Sequence, residues 1–113
     1  MKILCVAIPP ATEDSAAGKH AKEVYSPAVY ENIQMFMPGA EVVFRTCEWG
    51  LPMLDTPIYR HLDVLSSRLA FYAAANAKEE GFDGVLIDCF GDPMVRELRQ
   101  HLDIPVVGLC ESS

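Results

Sequence analysis

The stretch LIDCFGDP, Leu86 to Pro93, brings together the residue types most suited to chemistry in this chain: an acid, a thiol and, after a glycine, Asp-Pro. An apolar run such as Gly84–Ile87 reads as a buried strand, and a capping residue followed by proline reads as a helix start. Cys89 is therefore expected at a strand tip that faces the unpaired backbone N–H groups of a new helix. Free cysteine has a pKa near ~8.5, and a helix N-terminus lowers it, which makes the thiolate a base or nucleophile at neutral pH. The same N–H groups suit a carboxylate or enolate oxygen.

Other reactive groups give weaker patterns. Cys5 lies inside an apolar run and reads as a small buried hydrophobe, whereas Cys47 and Cys110 fall near strand ends. There is no C-x-x-C pair, and His20, His61 and His101 are not spaced as ligands, so no metal site is expected. Asp88 gives the segment a superficial likeness to the phosphorylated strand of response-regulator receivers. That reading fails on AIPPAT after the first strand, where a receiver needs an acidic pair for Mg²⁺. PPATEDSAAGK likewise lacks the glycine and hydroxyl pattern of a phosphate loop.

Positioning these residues is the work of a single domain of 113 residues, half of them apolar. A formal charge of −7 with nine scattered Lys/Arg argues against a nucleic-acid partner. The N-terminal MKILCVAIPP is too short for a signal h-region, and no apolar stretch is long enough to span a membrane. Four widely separated cysteines match no secreted disulfide scaffold, so a reducing cytoplasm is expected.

Continuous apolar runs at 2–8, 41–47, 84–89 and 105–110 predict four strands buried on both faces. Between them, Ser26-Pro27, Thr56-Pro57 and Asp92-Pro93 predict three helix starts. The first helix carries an apolar face of Val29, Ile33, Phe36 and Met37, and Ala11–Tyr25 before it reads as loop or as an earlier helical turn. The second presents Ile58, Leu62, Leu65, Leu69 and Tyr72 as one stripe and closes at Gly81. The third turns Val95, Leu98 and Leu102 inward. The order β-α-β-α-β-α-β predicts an α/β fold with a parallel four-stranded sheet between helical layers. Ligands of such sheets bind beyond the carboxyl ends of the strands, where strand order reverses.

The segment Gly81–Ser112 resembles the first-cysteine region of the aspartate/glutamate/hydantoin racemase superfamily, most closely its hydantoin and allantoin racemase branch. Cys89-Phe90-Gly91-Asp92-Pro93 and Asp103-Ile104-Pro105-Val106-Val107-Gly108 carry the resemblance, which continues more faintly through MKIL, PGAEV (Pro38–Val42) and GLPMLDT (Gly50–Thr56). It implies the flavodoxin-like half of a two-domain racemase that uses neither pyridoxal phosphate nor another cofactor. One cysteine from each half then stands on opposite faces of the α-carbon of an amino acid, hydantoin or related small carboxylate. One removes the proton while the other delivers one, and Cys89 resembles the first of the two.

By the same resemblance, the amides of Phe90, Gly91 and Asp92 stabilise negative charge, Asp92 caps the helix, and Pro10 and Thr12 face the substrate. Ile8-Pro9-Pro10-Ala11-Thr12 stands where the family commonly has Asn-Pro-Asn before Ser/Thr, and Met53 replaces a small hydroxyl residue. The second thiol is expected from a homodimer partner or from a C-terminal half, because Cys110 approaches from the same rim as Cys89. Decarboxylation and cis-trans isomerisation suit the same thiol. The non-enzymatic alternative is an inactive racemase-like half-domain that serves as a binding or dimerisation module.

Overall fold

The first strand has apolar side chains on both faces and takes the centre of the sheet. A computed structural model describes residues 1–7, 19–46, 59–89 and 91–111. In it β1 (Lys2–Ala7), β2 (Glu41–Thr46), β3 (Gly84–Asp88) and β4 (Val106–Gly108) form one parallel sheet in the order β2-β1-β3-β4. The expected α/β architecture is present. Burial on both faces is confined to the centre: Leu4, Cys5 and Val6 are enclosed, whereas Phe44 on edge strand β2 and Val107 on edge strand β4 are exposed.

Strand alternation sorts the side chains between the two faces. Leu4, Val6, Val85, Ile87 and Val106 enter the main core with Ala70 and Ala74 of α2 (Tyr59–Ala74) and Leu98 of α3 (Val95–His101). On the other face Ile3, Leu86 and Val107 line an apolar groove of about 350 Å³ with Ile33 and Met37, at the end of α1 (Ser26–Phe36). Helices thus lie on both sides of the sheet.

The helix boundaries depart from expectation in instructive ways. The first α-helix does begin at Ser26, but a π-helical turn, Ala21–Tyr25, runs directly into it as the earlier helical turn that the sequence allowed, and no side chain caps the junction. Pro27 has no N–H to donate to the preceding turn, and the wide turn accommodates that break in register. Helix α1 buries none of its residues, and Phe36 is 81% exposed, so the expected apolar face is only partly used. On α2 the sheet is met by Ala70 and Ala74, while Tyr72, expected inward, is 61% exposed and lies under the Arg68 guanidinium. Small residues win the contact there because they let the helix approach the strands closely. Thr56-Pro57 lies outside the described residues.

Gly81 does close the segment after α2. It has φ +88, its N–H bonds the Lys78 carbonyl, and the Phe82 N–H bonds the Ala77 carbonyl at 2.9 Å. These are the paired bonds of a Schellman motif, and Phe82 and Ala77 are both buried in the main core. Arg45 of β2 ties this corner down through the Ala73 carbonyl at 2.7 Å and an ion pair with Glu80. Val95, Leu98 and Leu102 are buried as expected. Among the described residues, no helix is long and apolar enough to cross a membrane.

Candidate active site

From β1 the chain passes to β2 on one side and then to β3 on the other, so strand order reverses between β1 and β3. Their register pairs Ala7 with Asp88, which places the next residue, Cys89, at the carboxyl rim of the switch point. Cys89 is half-buried and packs against the edge of the main core. Its sequence-based placement at a strand tip is confirmed.

Asp88 points to the opposite face, where it is 8% exposed and accepts a 2.7 Å hydrogen bond from the Tyr25 hydroxyl. Burial pushes the Asp88 carboxyl above the usual carboxylate range, against the opposing pull of Tyr25. The Tyr25 hydroxyl is itself pushed up to about 12, first by burial and then by its bond to Asp88, so it remains the donor. Cys5, on the same face as Asp88, is fully buried and is raised to about 12 by desolvation and then by the nearby carboxylate. It is a neutral core thiol.

Beyond Cys89 the structure corrects the expected helix start. Helix α3 begins at Val95, with Met94 at its N-cap in the left-handed region and no side-chain cap. The Asp92 N–H turns back to the Cys89 carbonyl at 3.0 Å, which removes it from the amides expected to face a substrate. Asp92 does not cap the helix. Its carboxylate accepts the N–H groups of Cys110 and Glu111, both at 2.8 Å, because the β4 exit runs beside it. Such charge-assisted bonds are each worth about 1.5–3 kcal/mol. They hold a turn in which Asp92 (φ 45) and Met94 (φ 62) adopt backbone angles costing roughly 1–2 kcal/mol per residue.

Glu111 is anchored in its turn. Arg99, which also donates to the Val106 carbonyl at 2.8 Å, pairs with the Glu111 carboxylate and holds it below the usual range, assisted by the Gly108 N–H. Gly91, Asp92, Met94 and Glu111, together with Ser67, line an open cleft of about 570 Å³ next to the Cys89 turn. Cys110 is exposed just past β4, on the same rim as Cys89.

Of the residues singled out from sequence, the structure brings Cys89, Gly91 and Asp92 together. Pro10, Thr12, Cys47, Met53 and Phe90 lie outside the described residues. Among the described residues no group of three His, Cys, Asp or Glu side chains is arranged to hold a metal ion. Tyr25 and Glu111 were not signalled. Tyr25 meets Asp88 across 63 positions of sequence, a distance over which no local pattern operates.

Comparison with known proteins gives two findings. The model of one family, Asp/Glu/Hydantoin racemase, matches residues 22–113. A hydantoin racemase from Pseudomonas sp. (strain NS671) is 50% identical over 36 residues, which are 32% of this chain and 14% of that protein.

Proposed function

Because the chain belongs to the Asp/Glu/hydantoin racemase family, we propose that it is a racemase-type domain in which Cys89 transfers the proton at the α-carbon of a small substrate. An amino acid, a hydantoin or a related small carboxylate is the substrate class. The observation that carries the reading is Cys89 at the carboxyl rim of β3, half-buried at the reversal of strand order.

The Cys89 thiolate takes the α-proton, and the electron pair left on carbon delocalises into the adjacent carbonyl. A thiol on the opposite face then donates its proton to that carbon. The configuration is inverted, Cys89 is left as thiol and its counterpart as thiolate, and no redox change occurs. Two groups are required because a single base returns the proton to the face it came from. The amides of Phe90 and Gly91 meet the developing negative charge, and Pro10 and Thr12 contact the substrate. Neither a metal nor an organic cofactor enters the scheme. A working thiol needs a reducing compartment such as the cytoplasm.

Cys110 shares the rim of Cys89 and is poorly placed as the opposing thiol. The counterpart comes instead from a second half of the racemase or from a second copy of this domain facing the same cleft. Replacement of Cys89 by Ser tests the assignment, with α-proton exchange followed by NMR in D₂O. Exchange is expected to fall by about 10²–10⁴-fold, the usual contribution of a positioned acid or base. Unchanged exchange contradicts it.

A further inference from the structure

We propose that Asp92 is a positioning residue for Cys89, acting through the turn between them from a seat on β4, and not a substrate contact. The inference rests on the reading of Cys89 as the reacting thiol. Both carboxylate oxygens of Asp92 are committed, one to the Cys110 N–H and the other to the Glu111 N–H. Its N–H is committed too, to the Cys89 carbonyl. One residue thus joins the end of β3 to the exit of β4.

Gly108 makes this seat possible. A Cβ on Gly108 would lie 2.5 Å from both Cγ and Oδ1 of Asp92, a separation that carbon and oxygen atoms cannot share. The carboxylate therefore sits directly over the last residue of β4, and any side chain at position 108 must displace it. The Asp of CFGDP and the Gly of DIPVVG are two parts of one device. The filled seat ties Asp92 to the β4 exit and, through the Asp92 N–H, to the Cys89 carbonyl; emptying it removes the tie between Cys89 and β4.

The test reads thiol chemistry directly and needs no turnover, so it is independent of whether the domain racemises anything. The rate of iodoacetamide alkylation at Cys89 is measured as a function of pH by peptide mass spectrometry, with Cys5 as an internal control for folding. Asp92→Gly removes the carboxylate while keeping the left-handed backbone accessible, and Asp92→Asn keeps one acceptor. Asp92→Gly and Gly108→Ala are each expected to change the Cys89 rate or shift its pH profile at least threefold, with Cys5 still protected. Asp92→Asn is expected to fall between. In the Asp92→Gly background, Gly108→Ala is expected to add nothing, because the group it displaces is already gone. An unchanged Cys89 profile in folded Asp92→Gly overturns the proposal, as do fully additive effects of the two changes. If Asp92→Gly unmasks Cys5, the comparison of Asp92→Asn with Gly108→Ala decides by the same threefold criterion.

Discussion

Cys5 and Cys89 stand on neighbouring strands with different surroundings: the first is sealed in the sheet, the second half-open at its rim. Native protein at pH 8 is expected to leave Cys5 unmodified by iodoacetamide while exposed Cys110 reacts, and peptide mapping reads the difference. Burial, and after it the nearby Asp88 carboxylate, pushes the Cys5 thiol up to about 12 in the fold, above the free-cysteine range. Its contribution to stability is complete below the free-cysteine pKa and is lost as pH rises toward the folded value, so Cys5→Ala is expected to flatten that part of the denaturation profile. Asp88 is also raised by burial, so it favours the fold when protonated and the contribution is lost as pH rises through its folded pKa. Asp88→Asn is expected to flatten the loss of stability above the ordinary carboxylate range, which urea denaturation at stepped pH measures. The strand-tip position of Cys89 was legible because an apolar run, a glycine and Asp-Pro are local signals. Asp92 was misread as a helix cap because its partners, Cys110 and Glu111, belong to the exit of another strand.

At the scale of elements, the strands could be read from sequence more securely than the helices. The central runs in β1 and β3 are apolar enough to have one interpretation, and their parallel pairing followed from the helical segments between them. Helix faces were read in part: Leu69 packs against the core as expected, whereas Phe36 and Tyr72 are large yet exposed and, among the described residues of α2, Ala70 and Ala74 are the fully buried ones. The Asp92-Pro93 helix start failed, with the helix beginning at Val95, since proline also fits other turns. Gly81 was legible because only glycine enters the left-handed region without strain. Nothing lies within 4 Å of a Cβ built there, so Gly81→Ala tests backbone conformation alone. It is expected to cost roughly 1–2 kcal/mol in equilibrium unfolding, with little change in the slope against denaturant.

For the molecule as a whole, one rim of the sheet holds the proposed chemistry, and the α1 side leaves Tyr30, Met35, Phe36 and Phe44 exposed to solvent. If the opposing thiol comes from a second copy, sedimentation of this domain gives a dimer mass, whereas a strict monomer leaves a second half as its source. The matched stretch of the hydantoin racemase covers 14% of that protein, whereas the family match runs over residues 22–113 of this chain. The proposed chemistry centres on Cys89 as the group that exchanges the α-proton. Its most direct test is the rate of α-deuterium incorporation from D₂O into amino acids and hydantoins, compared among the parent, Cys89→Ser and Cys110→Ser. Exchange is expected in the parent and in Cys110→Ser, with a loss of about 100-fold or more in Cys89→Ser. Equal exchange in the parent and Cys89→Ser, or loss only in Cys110→Ser, would contradict it.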